Sequence, residues 1–414
     1  MTLGFLSRLQ GNARTCLTFE LLFLLPYTLI TTYATIYMYE MGLSETTIGW
    51  IITLGLVVQV FSAWISGYLT DRLGRRKALM YFDIISWSIP LLIWALAQNV
   101  WFFVIAALVN GLVRIPHTAF SCLLVEETPL RDRTYVFMVL QFLVVVGGLF
   151  APIGGLVVMH FDLIPGIRWM YVFAFVSITL MIFPRHILLK ETEIGLRKMK
   201  ESQGISVNSS FTEYVRVTRK LLHTPPLLMV FSVYMLFTFQ LTLKNTYLSL
   251  YFVDELQLRS EFISIFPALT SVVMLIAMVF MVPKIPPSYT NQVMIWGFLI
   301  SVLSIILLII AKPGDIVLLL VSTVFSALGV IMTYPYLEAA VANEMNDEDR
   351  AHSVANLWVV VLMFTAPSGI IGGWAYHVDP RIPFILIGVA LVFSMLVMIA
   401  FHFRQVNSEG GSTI

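Results

Sequence analysis

Several ionisable side chains lie inside long apolar runs, where a central Lys, Arg or Asp costs roughly 2.5–3.5 kcal/mol to insert in a membrane. Arg114 is the deepest of them. Asn110, Arg114, His117 and Ser121 are spaced four, three and four residues apart, so on a helix they share one face. A single polar stripe on an apolar helix faces a cavity or another helix, and a guanidinium there can hold an anion or another polar headgroup. It can also do no more than pair with a buried acid and hold helices together. Phe237, Gln240, Lys244, Tyr247 and Tyr251 form a second stripe, in which the aromatic rings supply apolar contact. Lys244 sits nearer the end of its run and is able to snorkel to the surface instead. The acids in comparable positions are Glu20, Asp83 and Glu338. Each lies within about two turns of one end of its run, where water can reach it, and a carboxyl there can carry a proton. Glu20 shares a face with Tyr27 and Thr31, which makes it the leading proton carrier. Asp83 follows Lys77 by six residues and reads as a local partner for the basic residues before it, and Glu338 follows Tyr334 by one helical turn and can line an inner vestibule.

Other chemistries lack their residues. No Walker-type G-x-x-x-x-G-K-[ST] is present, so drive by ATP is disfavoured. The seven histidines are scattered and none joins cysteines at metal-ligand spacing, so neither a metal nor a cofactor is expected. Cys16 and Cys122 both fall in apolar runs and imply no disulfide framework. A net charge of +1 gives no sign of a nucleic-acid partner. Energy would come from an ion gradient or from the solute's own gradient, and no catalytic constellation suggests an enzyme.

The elements that must hold these residues are membrane helices. Of 414 residues, 58% are hydrophobic and 12% charged, against about 25% charged in soluble proteins. Lipid offers no partner to free backbone amides, so each apolar run of about 20 residues is a helix. Twelve spans are expected, at 15–39, 46–69, 78–98, 101–125, 134–158, 168–188, 226–251, 260–282, 291–311, 316–341, 352–376 and 382–403. An even number puts both termini on one side. Nineteen of the 25 Lys and Arg residues fall on that side and four on the other, which makes the termini cytoplasmic by the positive-inside rule. No cleavable leader precedes the first span, into which Arg8 and Arg14 lead.

Residues 189–225 break the apolar pattern and read as a central cytoplasmic linker. Within it, Phe211, Tyr214, Val215, Thr218, Leu221 and Leu222 recur at helical spacing, either as an amphipathic helix on the headgroups or as part of a solvated tether. The two sides of the linker repeat one another. Gly111, Asp132-Arg133, Ala151-Pro152 and Gly154-Gly155 reappear as Gly329, Asp349-Arg350, Ala366-Pro367 and Gly372-Gly373. This gives residues 1–188 as one six-helix bundle and 226–414 as its relative with a short tail. The expected site is near mid-membrane between them.

One segment is more specific than the rest. Gly67-Tyr-Leu69-Thr-Asp71-Arg72-Leu-Gly74-Arg75-Arg76-Lys77 packs five charges into the seven residues from Asp71 to Lys77, between spans 2 and 3. Gly67 and Gly74 suit close packing and a turn with positive φ, and the basic residues suit anionic headgroups. The segment closely resembles the signature between helices 2 and 3 of the major facilitator superfamily, G-x-L-x-D-R-x-G-R-[RK], at every fixed position. The resemblance implies that superfamily's all-α fold of two pseudo-symmetric bundles, which alternately open a central cavity to either side. It also implies a gate in which Asp71 clamps the bundles together, with Arg133 or the amino end of span 11 as its counterpart. Gly147, Gly148, Pro152, Gly154 and Gly155 resemble the superfamily's antiporter motif. They depart from it at Ala151 and in the spacing after Pro152, and Ala107 stands where many proton-driven exporters have arginine. Helix packing accounts for these small residues equally well, as it does for Pro367, Gly372 and Gly373.

The expectation is therefore a monomeric plasma-membrane secondary transporter of a small organic solute, proton-coupled and slightly more suited to efflux. The alternative is a metabolite uptake carrier or uniporter of the same fold. Substrate-site candidates are Arg114, Asn110, His117, Gln240, Lys244, Tyr247 and Tyr27.

Overall fold

The computed structural model describes residues 9–202, 225–286, 289–343 and 350–410, without the side chains of 130, 131, 134, 225–227, 338–343, 350–357 and 404–410. Among these residues the chain is helical and contains no strand. Twelve membrane-length helical segments occupy the expected places. Spans 1 to 6 run over Gly11–Glu40, Glu45–Leu73, Arg75–Ala95, Val100–Val125, Leu130–Phe161 and Leu163–Leu188. Spans 7 to 12 run over Pro225–Asp254, Ser260–Lys284, Thr290–Ile310, Ile316–Asn343, Arg350–Val378 and Ile382–Gly410. Eleven of them contain stretches long and apolar enough to cross a bilayer; span 7, with Gln240, Lys244 and Asn245, falls outside that set.

Several helices outrun their apolar runs because polar residues continue the last turns. The segment between spans 2 and 3, expected as a polar loop, is nearly all helix. Span 2 continues through Asp71 and Arg72 to Leu73, Gly74 alone makes the turn, and Arg75 opens span 3. Gly67 therefore sits inside a helix with open space around its Cα, and only Gly74 has the positive φ, at 84°. A Cβ at Gly74 would also meet Glu191 and Met199 at 2.6 and 2.8 Å. Gly74→Ala is expected to lower stability by about 1–3 kcal/mol through backbone strain. Gly67→Ala, inside a helix with room for the methyl, should raise stability by about 0.5–1 kcal/mol; thermal melts of the two purified variants test the pair.

Spans 3, 4, 5 and 11 are interrupted, and the breaks in spans 5 and 11 match the repeat. Span 5 breaks after Gly148 and restarts at Pro152, and span 11 breaks after Thr365 and restarts at Ser368, each at its Ala-Pro pair. Proline lacks the amide that would continue the ladder. Gly111 and Gly329 do the same job in the two halves. Each lets its helix approach a neighbour's backbone, at the carbonyls of Gly55 and Gly297 respectively. Span 4 loosens into a tighter turn over Gly111–Val113, immediately before Arg114. Span 3 contains a π-helical turn, Ile84–Ser88, directly after Asp83. Such turns release backbone groups from the regular ladder. Here the Asn110 side-chain amide donates to the Ser86 carbonyl at 2.8 Å.

Candidate functional site

The loosened turn in span 4 delivers Arg114 to the space between the bundles. Its guanidinium lies 4.8 Å from the ring centre of Trp358, which belongs to span 11 of the other bundle. Its Nε donates to Gln59 Oε1 of span 2 at 3.1 Å, and the phenols of Tyr27, Tyr234 and Tyr334 are within electrostatic reach. Among the described residues no carboxylate pairs with it; the side chain of Glu338 lies outside them. His117, one turn on, meets the same Trp358 edge-on at 6.4 Å and is otherwise exposed to the gap between the bundles. Tyr27 is 37% exposed although it stacks on Phe23 and meets Trp87. Tyr234 packs on Trp358, and Phe237 stacks on Tyr334 across the second bundle. Together these residues make an aromatic cluster around one cation, whose chemistry suits an anion or a planar group by charge and stacking.

Not every member of the two stripes reaches this cluster. Asn110 is tied to the π turn of span 3. Gln240 is 5% exposed, and Tyr247 is fully buried with its hydroxyl donating to the Gly369 carbonyl at 2.8 Å. Lys244 does not snorkel; its Nζ donates to Ser326 Oγ on span 10. Gln59 and Trp358 were not singled out from the sequence. Gln59 had a signal, since Gln59, Ser62 and Ser66 form a polar stripe in span 2, with Ser62 and Ser66 bonded to span 4. Trp358 had none.

The acids of the first bundle form a separate cluster. Arg185, from the last turn of span 6, is 4% exposed and pairs with Asp83 of span 3. Its Nη1 is also 3.9 Å from Glu20 Oε2 of span 1. Asp83 thus turns to Arg185, not to the basic residues before it, because span 3 points it inward against span 6. Arg185 was counted among the basic residues of the membrane surface, and the structure instead buries it between two carboxylates.

On the face carrying the linker, the signature segment is held by its own bundle. Arg75 is 4% exposed, pairing with Asp71 at 2.8 Å and Glu126 at 3.1 Å, so it is withdrawn from the headgroups. Glu191 accepts the backbone amides of Arg75 and Arg76 at 2.9 and 3.1 Å and caps span 3. Thr192 donates to Glu126 and starts a linker helix, Glu193–Glu201. Asn12 joins the group through Glu127 and the backbone of Lys190. Burial, reinforced by Glu126, Glu193 and Glu191, pushes the Glu127 carboxyl above its ordinary range. Arg72 bonds the hydroxyl of Tyr68, and Arg133 donates to the Thr128 carbonyl at 3.3 Å. Neither Asp71 nor Arg133 takes the other as partner here. The proposed amphipathic stretch 211–222 lies outside the described residues.

The face opposite the linker is closed between the bundles. Gly49 of span 2 and Gly369 of span 11 meet backbone to backbone, and the Ile370 amide donates to Thr53 Oγ1 at 3.0 Å. Tyr39 and Tyr376, one from each bundle, bond the two oxygens of Asp254. Some glycines of spans 5 and 11 face the other bundle and others pack within their own. Gly148 faces Ser271, Gly155 the Glu261 carbonyl, and Gly373 the Glu45 carbonyl, while Gly154 and Gly372 pack on Tyr33 and Tyr247. Pro152 and Pro367 set the breaks that present these glycines.

Known proteins share sequence and fold with this chain to differing extents. The chain is 29% identical to the MFS-type transporter YqjV of Bacillus subtilis over 116 residues, 28% of each chain. It is 20% identical to Multidrug resistance protein 2 of the same bacterium over 361 residues, 87% of each. A D-xylose-proton symporter structure superimposes with a TM-score of 0.72, 16% identity and coverage of 94% of this chain and 97% of that one. The human organic anion transporter MFSD10 gives 0.66 and 14%, over 94% and 100% of the respective chains. At these identities the structures show the shared fold alone. The family model of the Major Facilitator Superfamily matches residues 16–286, well over half of the chain, and with the two broken-helix bundles it shows that this protein belongs to that superfamily of transporters.

Proposed function

We propose that the protein is a secondary transporter that moves a small anionic organic solute by alternating access. The observation that carries this reading is Arg114, held between the bundles by an amide and aromatic rings, with no carboxylate pairing with it among the described residues. A cation kept in a membrane without a counter-ion is costly unless a ligand supplies one. His117 and Tyr27 line the same gap and complete a site suited to an aromatic anion. The sealed seam opposite the linker corresponds to one end state, and rocking of the bundles about the site gives the other.

Proton coupling and export are favoured by the buried acids of the first bundle and by the likeness to Multidrug resistance protein 2. The basic linker face is taken as cytoplasmic and the membrane as the plasma membrane, with the single chain as the working unit. Uptake or uniport by the same site is the second reading, favoured by the departures from the antiporter motif at Ala107 and Ala151.

Naphthalenesulfonate is a suitable probe because it stays anionic at every working pH and so cannot cross as a neutral acid. Purified protein in liposomes is expected to catalyse counterflow of labelled naphthalenesulfonate and to be inhibited by other aromatic anions, not by aromatic cations. Inhibition by cations alone would overturn the anion reading. A pH gradient that drives accumulation selects proton coupling over uniport.

A further inference from the structure

We propose that Gln59 selects the charge of the solute: its amide fixes the Arg114 guanidinium without neutralising it, and adds a hydrogen-bond donor for the same anion. This rests on the anionic-solute reading above and names a further residue of that site. Arg114 carries five N–H donors. Among the described residues only its Nε has an acceptor, Gln59 Oε1 at 3.1 Å, and both terminal amino groups have none. A guanidinium tied at Nε still presents its paired Nη edge, the fork that takes two oxygens of a carboxylate or sulfonate at once. The same bond sets the orientation of the amide. Because Nε–H donates, the oxygen of Gln59 faces it and the NH2 end is left over. That amino group donates to no described residue, and the side chain is partly exposed. Two unpaired sets of donors thus stand side by side.

The rest of the polar stripe on span 2 makes Gln59 a fixed point. Ser62 Oγ, one turn on, donates to the Gly111 carbonyl at 2.6 Å, within the tight turn that precedes Arg114. Thr118 Oγ1 bridges Ser66 Oγ at 3.0 Å and the Arg114 carbonyl at 2.9 Å. Gly111 brings span 4 against Val58, the neighbour of Gln59 in sequence. Spans 2 and 4 are therefore held in one register over several turns, and both belong to the first bundle. Gln59 and Arg114 travel together when the bundles rock, whereas Trp358 moves with the second. The charge presented to the solute is then the same in both end states.

Position 59 has few residues that could serve. A carboxylate there would pair with the guanidinium and leave no net charge for an anion. An apolar side chain would leave the Nε–H without an acceptor away from water, which costs the full desolvation of that donor. The remaining groups within electrostatic reach of Arg114 are the phenols of Tyr27, Tyr234 and Tyr334. None of these supplies a negative charge at neutral pH. Among the described residues, the amide at 59 is thus what keeps the cation both anchored and unneutralised.

Gln59→Glu keeps the shape of the side chain and changes its charge. In melts of detergent-solubilised protein, naphthalenesulfonate is expected to stabilise the wild type. Its apparent affinity should fall at least tenfold in Gln59→Glu, while the melting temperature without solute stays the same or rises. Gln59→Met keeps the length and the net charge of the site but not the amide. Its KM for counterflow should rise about tenfold, as for a lost hydrogen bond to a charged group, at an unchanged maximal rate. Equal responses of wild type and Gln59→Glu overturn the role of Gln59 and leave the anion reading standing. Should Gln59→Glu not fold, Gln59→Met decides, and an unchanged KM overturns the proposal. A wild type that is neither stabilised by naphthalenesulfonate nor able to move it overturns the anion reading and this role of Gln59 with it.

Discussion

Arg114→Gln lowers counterflow of naphthalenesulfonate by roughly 30-fold or more, with little change in melting temperature. The estimate follows from the 2–5 kcal/mol lost when one partner of a desolvated charge pair is removed, at about 1.4 kcal/mol per tenfold. The stability cost is smaller because the guanidinium's direct contacts within the protein are one amide and one ring, worth about 0.5–2 kcal/mol for the ring contact. Arg114→Lys keeps the charge and loses the planar group that lies on Trp358, so it should fall between the two. Trp358→Ala should weaken binding of the aromatic probe more than that of a small aliphatic sulfonate. Normal counterflow in Arg114→Gln would remove the cation from solute recognition altogether.

The second large effect concerns the seam. Gly369→Val should reduce transport to background while leaving each bundle folded. The added atoms would enter the Gly49 carbonyl and come within 2.7 Å of Thr53 Oγ1, at a contact between the bundles and inside neither. The closed state then becomes unreachable, and alternating access needs both end states. Accessibility provides the check. A cysteine placed at Thr53, in a protein with Cys16 and Cys122 replaced, should be shielded from an impermeant maleimide on that face. Adding Gly369→Val should expose it. Unchanged labelling together with unchanged transport would show that the glycine contact is incidental.

The fold was legible because its signal is local: each span announces itself by an apolar run, and the signature segment by its lettering. Helix ends were less legible. Polar residues such as Asp71 and Arg72 continue a helix as readily as they form a loop once Arg75 and Glu126 satisfy them. Arg114 and His117 could be read as one face from spacing alone, but the partner of that face could not, since Trp358 is one apolar residue among many in its span. The same limit hid Arg185. Its contact with Asp83 joins residues 102 positions apart, and at the end of span 6 it looked like any basic residue at a membrane surface. The repeat put Ala-Pro pairs at matching points of spans 5 and 11, where the structure breaks both helices. It did not foretell that the glycines beside them would face across the two bundles as well as within one.

The partners of Arg75 and Arg185 all precede residue 202. Asp71, Glu126, Asp83 and Glu20 lie in the first six spans, and Glu191 and Thr192 follow directly after them. A nascent chain that has only just completed this stretch already owns every counter-charge that Arg75 and Arg185 require. The first half can consequently settle in the bilayer during synthesis, before the ribosome has supplied the second, as domains made early in translation commonly do.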